Sequence, residues 1–161
     1  FHGAAFLRLL ESLSERAPEI RISVENLHSR NLYKVIAEKP KLLGKSKYVM
    51  FGVVIKLSTK RRSPWRYSYT QQNQDDLKNL YDEFGETFSV FANGEDGFAC
   101  LTFSELKEVL DEIHEESEWV SVARKLRHEY RIAGNDGRRE RTLPRNSFPK
   151  TIVDFILSRL G

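Results

Sequence analysis

One cysteine, one methionine and no apolar run approaching the roughly twenty residues of a membrane span set the first limits on this chain. Cys100 alone cannot form an intramolecular disulfide, and its place in the apolar run FACLTF marks it as a small buried hydrophobe. A reducing compartment fits, so a cytoplasmic protein that makes no use of a membrane is expected. Charge interrupts the N-terminal FHGAAFLRLLESLSERAPE too early for a signal peptide. The histidines His2, His28, His114 and His128 are scattered without metal-ligand spacing, which leaves no zinc site to propose. There is no phosphate-binding glycine loop, and NGEDG and GNDG lack the alternating oxygen ligands of a calcium loop and read as hairpin turns.

The most informative absence is local. Residues 39 to 74 contain nine cations and no carboxylate, whereas residues 75 to 118 carry fourteen anions against two cations. Residues 1 to 38 balance, and residues 119 to 161 hold ten cations against four anions, so a modest net charge of +3 hides strong segregation. A basic block interleaved with Tyr48, Trp65, Tyr67 and Tyr69 is the footprint expected where a phosphate backbone docks. The plainer alternative is that the acidic block folds back and neutralises it.

With 161 residues, 40% of them hydrophobic, the chain is long enough for one core and too short for two comfortable ones. A single domain over 1–161 is expected, with a core of about 4–117 and a C-terminal basic hairpin and helix at 118–161. Phe6, Leu9, Leu10 and Leu13 recur at helical spacing ahead of Pro18. EIRISVENL, NLYKVIA and KYVMFGVVIKLST then read as strands, the last a candidate central one. Thr70 can cap a helix over QQNQDDLKNLYDEFG that stops at Gly85. ETFSVFA and FACLTF follow as strands joined by NGEDG. Thr102 and Glu105 have the spacing of a capping box opening a long helix FSELKEVLDEIHEE, with Phe103, Leu106, Leu110 and Ile113 facing inward. Pro149 opens a closing helix. This alternation predicts an α/β (α+β) fold with a mixed central sheet flanked by helices.

Between about residues 4 and 113 this order resembles the restriction-endonuclease-like, PD-(D/E)xK, fold, and within it the RecU-type and archaeal Holliday junction resolvases. The carriers of the resemblance are a leading helix, a three-stranded meander, Lys60 after VVIKLST, and Gln74 at the start of the next helix. The resemblance implies a restriction-endonuclease-like core with a C-terminal extension, and Lys60 and Gln74 as catalytic-site residues. The chain departs from the pattern at the metal-binding carboxylate, because Ser58 stands two residues before Lys60, and counting from Lys56 gives Val54. Metal-assisted phosphodiester cleavage needs hard oxygen ligands, so an active enzyme would have to draw them from elsewhere, with Glu25 and Glu38 as candidates and Mg²⁺ as cofactor.

A DNA-binding nuclease-like domain lacking an intact metal site accounts for more of these features, with no cofactor required. Its contacts are expected from Lys56, Lys60, Arg61, Arg62, Trp65, Arg66, Arg124, Lys125 and Arg127, Trp65 either stacking beside Arg62 and Arg66 or pinning its loop to the sheet. Duplex or branched DNA is the expected partner, with RNA kept beside it. An active metal-dependent endonuclease or resolvase is one alternative. A protein-interaction module, a homodimer included, that pairs acidic and basic faces is the other.

Overall fold

The computed structural model describes residues 2–27, 31–113 and 118–161, so His28 and His114 lie outside the described residues. Helix α1 (His2–Arg16) leads into a meander of β1 (Arg21–Asn26), β2 (Leu32–Lys39) and the long β3 (Lys47–Ser58). After β4 (Trp65–Tyr69), helix α2 (Gln71–Phe84) carries the chain to β5 (Thr87–Asn93), which pairs parallel to β3 and antiparallel to β6 (Gly97–Thr102). The resulting five-stranded mixed sheet has the order β1-β2-β3-β5-β6. Strand alternation decides what each face buries. Phe51, Val53 and Ile55 of β3 point to a core shared with α1 and the C-terminal helix α4 (Ser147–Leu160), while Val54 points to a second core. That second core lies under α2 and short α3 (Phe103–Lys107). The mixed sheet with helices on both faces is therefore as expected.

α2 owes its start to a capping box between Thr70 and Asn73 and its end to Gly85 in the left-handed region. It packs so close to β3 that a Cβ on Gly52 would come within 2.7 Å of Leu80 Cδ1. α4 is regular from Pro149, since Phe148 has extended backbone angles. None of the described helices is long and apolar enough to cross a membrane.

Two features differ from the sequence reading. The capping box at Thr102 does open α3, but the helix spans five residues and Ile113 is 72% exposed where an inward position was expected. The backbone beyond Glu108 turns to other partners: Val109 O accepts the N–H of Asp136, and Asp136 Oδ2 accepts the N–H of Asp111. The second difference is larger. WRYSY, expected as part of a basic loop, is a strand of a separate four-stranded sheet, β4-β7-β8-β9, completed by β7 (Glu118–Ala123), β8 (Arg131–Gly134) and β9 (Gly137–Arg138). The inner residues of β4, Trp65, Tyr67 and Tyr69, are buried, and Arg66 and Ser68 face outward.

Candidate nucleic-acid interface

Lys56 is the cation the fold treats differently from the rest. It sits near the end of β3, on the face that carries Val54, and is half-buried. Its ammonium donates to Ser68 O at 2.8 Å and to Asn73 Oδ1 at 2.7 Å, and lies 4.5 Å from the centre of the Tyr69 ring. Asn73 is fixed for this task by the capping box, because the same Oδ1 accepts the N–H of Thr70 at 3.1 Å. Among the described residues no carboxylate pairs with Lys56. Burial without a counter-ion favours the neutral amine and lowers its pKa to about 8.

The Lys56 side chain lines an open groove of about 590 Å³ with His2, Asn31, Arg66 and Ser68. No carboxylate lines it among the described residues. Arg66 extends this surface onto the outer face of the second sheet, where its guanidinium lies 4.1 Å from the centre of the Trp119 ring. The register explains the contact, since Ser68 pairs with Trp119 and Arg66 with Ser121. The exposed-face aromatic beside Arg66 is thus Trp119.

Trp65 is not available for stacking. It is 2% exposed, and its indole N–H donates to Lys60 O at 2.8 Å, so it pins the loop between β3 and β4 to the core. Gly94 reaches the same carbonyl from the β5–β6 turn, where an added Cβ would meet it at 2.2 Å at a φ of +53°. Lys60 therefore lies in this loop and not in the strand, and its Nζ donates to Pro64 O at 2.9 Å.

The two basic clusters adjoin. Arg124 N donates to Ser63 Oγ at 2.9 Å, which fastens the turn after β7 to the loop holding Lys60, Arg61 and Arg62. Lys60, Arg61, Arg62, Lys125, Arg127 and Arg131 are all exposed on this edge. Arg61 lies 4.0 Å from the Glu95 carboxylate. Arg124 belongs to the framework: its side chain is 9% exposed, and its Nε and Nη2 grip the carboxylate of Asp96, which also accepts from Tyr130 Oη at 2.8 Å. These bonds, led by Arg124, hold the Asp96 carboxyl below its ordinary range.

The proposed metal ligands do not assemble. Glu38 pairs with Tyr48, eight residues along β3 from Lys56, which is about 26 Å at ~3.3 Å per residue, and its carboxylate accepts from Tyr48 Oη. Glu25 is opposite Lys34, itself opposite Gly52, and so lies about 16 Å from Lys56 by strand spacing and rise. Gln74 turns away, donating to Asp111 O at 3.1 Å. Among the described residues one carboxylate trio, Asp111, Glu118 and Asp136, gathers its oxygens within 4.8 Å. Two of the three are occupied in turn-making, through the N–H groups of Asp111 and Ile113.

Sequence reasoning chose Lys60 and Gln74 where the fold brings together Lys56 and Asn73. The available signal was the strand itself: on a strand ending at Ser58, Lys56 is the lysine whose parity matches the buried Val54. No protein-family model, curated protein or solved structure matches the chain.

Proposed function

We propose that this protein binds nucleic acid through its phosphates, at the Lys56 groove and the adjoining basic loops, and that it does not cleave its ligand by a metal-dependent route. The observation that carries the reading is the counter-ion deficit of Lys56. A half-buried ammonium is costly unless something anionic offsets it, and an oxyanion entering the groove would meet Lys56, Arg66 and His2. Exposed cations on the neighbouring loops extend the interface to further phosphates, and Trp119 with Arg66 offers a face on which a base can stack.

The resemblance to the restriction-endonuclease-like nucleases is consistent with this site only in part. Of what it implies, the leading helix and the three-stranded meander are present, whereas Lys60 lies in the loop after β3 and Gln74 donates to Asp111 O, so the site proposed here rests on Lys56 and Asn73 instead. The first residue of the corresponding triplet is Val54, 3% exposed and packed in the core, which supports binding without cleavage.

The test is anisotropy titration of labelled single-stranded, duplex and four-way-junction DNA across a salt series. Binding that weakens steeply with salt and is impaired in Lys56→Met is the expected outcome. No binding at low salt, or affinity indifferent to salt and to Lys56, would overturn the reading.

A further inference from the structure

Strand β1 forms one outer edge of the five-stranded sheet, and none of the described residues pairs with its outer side. The opposite edge is closed at its middle, because Cys100 N of β6 donates to Ser147 Oγ. Which backbone groups β1 leaves open follows from the ladder. Leu27 N donates to Leu32 O and Ile55 N to Asn31 O, so the even-numbered residues of β2 bond to β1 and the odd-numbered ones to β3. On β1 the backbone groups of Arg21, Ser23 and Glu25 therefore turn inward, and the N–H and C=O of Ile22 and Val24 turn outward. The strand has no proline, lysine or bulge, devices that keep sheet edges from joining. Val24 shares a face with its fully buried partner Val35 and is still 41% exposed, since no described strand flanks it on the outer side.

We infer that β1 is the contact through which two copies of this chain associate, pairing antiparallel with itself about a two-fold axis at Ser23. Charge and hydrogen-bond parity select that register together. With Ser23 opposite Ser23 of the second copy, Arg21 faces Glu25 of the second copy and Glu25 faces its Arg21. Ile22 faces Val24 of the second copy, and their outward N–H and C=O groups bond in both directions. A slip of two residues one way sets Glu25 against Ser23, and the other way sets it against Glu19, so either slip loses both ion pairs. Rows already present in the sheet continue across the joint. On one face Lys34 and Glu25 are followed by Arg21 and Glu38 of the second copy, alternating in sign. On the other face Phe51, Val35 and Val24 are followed by Ile22, Ala37 and Val49 of the second copy, which covers the exposed side of Val24. The same patch serves both copies, so the contact closes as a dimer and does not propagate. A strand of six residues is a small contact, and the dimer should dissociate on dilution. Nothing in this inference depends on the nucleic-acid reading.

Sedimentation velocity tests this on the protein alone, without nucleic acid, over a concentration series. The 18.8 kDa monomer should convert to a species of twice that mass as concentration rises. Val24→Pro removes an outward N–H and no ladder bond within the chain, so it should keep the circular dichroism of the wild type and remain monomeric. Arg21→Glu and Glu25→Arg should each weaken association by about tenfold, and the two combined should move it back toward wild type, because the pairs re-form with their signs exchanged. Under mild oxidation Ser23→Cys should form a disulfide with its own copy at the axis, whereas Glu19→Cys, exposed but displaced along the chain, should not. Cys100 is buried and takes no part. A chain monomeric at every concentration, a dimer that survives Val24→Pro, or a Ser23→Cys chain that fails to cross-link would overturn the inference. If Val24→Pro does not fold, the charge exchange and the cross-link decide.

Discussion

The ammonium of Lys56 lies 2.7 Å from Asn73 Oδ1, a strand lysine bound to the third residue of the following helix, with no acid among the described residues to share its proton. A lysine whose folded pKa is depressed destabilises the fold wherever it is charged in both states. Between about pH 8 and its ordinary 10.5, the unfolded chain binds more protons than the folded one, so stability rises with pH in that window. Lys56→Met removes the penalty and leaves Ser68 O and Asn73 Oδ1 at an open groove where water reaches them. Its Tm at pH 7 should exceed wild type by several degrees, with the gap closing as pH passes from 8 to 10.5, while DNA affinity falls. A Tm below wild type at pH 7 would mean that the two hydrogen bonds outweigh the buried charge.

The same lysine should make binding pH-dependent. An oxyanion in the groove favours the ammonium, so binding takes up a proton when the free site is neutral. Affinity measured at constant ionic strength should be flat below about pH 8 and fall toward tenfold per pH unit above it. Lys56→Arg keeps its charge throughout and should remove that slope. A wild-type profile flat to pH 9.5 would show that no phosphate sits beside Lys56.

The adjoining loops supply the salt dependence. If five phosphates are neutralised, log affinity should fall with log salt at a slope of about −4.5. Replacing Lys60, Arg61, Arg62 and Arg66 together by Ala should weaken binding to all sequences alike and flatten the slope by about 0.9 for each phosphate left without its cation. Adding Lys125→Ala and Arg127→Ala should extend the trend, because Ser63 and Arg124 hold the two loops together. An unchanged slope in a folded variant would move the interface elsewhere.

Arg124 should behave differently from its neighbours. Its guanidinium is buried against Asp96, which is 15% exposed, so Arg124→Ala leaves the Asp96 carboxylate without its counter-ion and with the Tyr130 hydroxyl as its remaining hydrogen-bond partner among the described residues. A loss of about 2–3 kcal/mol in urea denaturation is expected, with the salt slope retained. Because the folded Asp96 pKa is depressed, the pair stabilises above the ordinary carboxylate range and loses that contribution as pH falls through the folded value. The wild-type advantage over Arg124→Ala should therefore vanish in acid.

The parts of the fold legible in the sequence were those with local causes. The helix α1, the Thr70 and Thr102 caps and the Gly85 stop each depend on a few adjacent residues, and each is present, though of the expected α1 stripe Leu10 is exposed. The second sheet was hidden because its strands are assembled from segments over fifty residues apart: Trp65 pairs with Val122, and the charges of Arg61, Arg62 and Arg66 dominate the local pattern. WRYSY does alternate strictly, and its odd positions are all buried aromatics. The site was half legible for the same reason. The carboxylate-free block drew attention to both lysines, but only the end of β3 at Ser58 separates the strand lysine Lys56 from the loop lysine Lys60. Whether Arg124 was a phosphate ligand or a strut depended on Asp96, twenty-eight positions away.

The last prediction concerns metal. Val54 and Leu32 face each other across β2 and β3 beside Lys56, and both are buried in an apolar core where hard oxygen ligands would be needed. Purified protein given Mg²⁺ or Mn²⁺ should leave linear, nicked and four-way-junction DNA intact, and neither ion should raise its Tm. Cleavage that requires metal and disappears in Lys56→Ala would defeat the non-cleaving reading. Val54→Glu probes the same place from the other side. It buries a carboxylate, but two residues along one strand face from an ammonium with no counter-ion among the described residues. The substitution should therefore cost less stability in the wild-type background than in Lys56→Met, a coupling that a double-mutant cycle measures directly. Ser58→Glu is the matched control. Ser58 has the same parity but lies at the strand end, its carbonyl bonded to Gly94 N and its hydroxyl accepting from Lys60 N, so a carboxylate there should couple to Lys56 weakly. Equal coupling from both positions would mean that Lys56 senses only the general field of the strand end and not a specific neighbour.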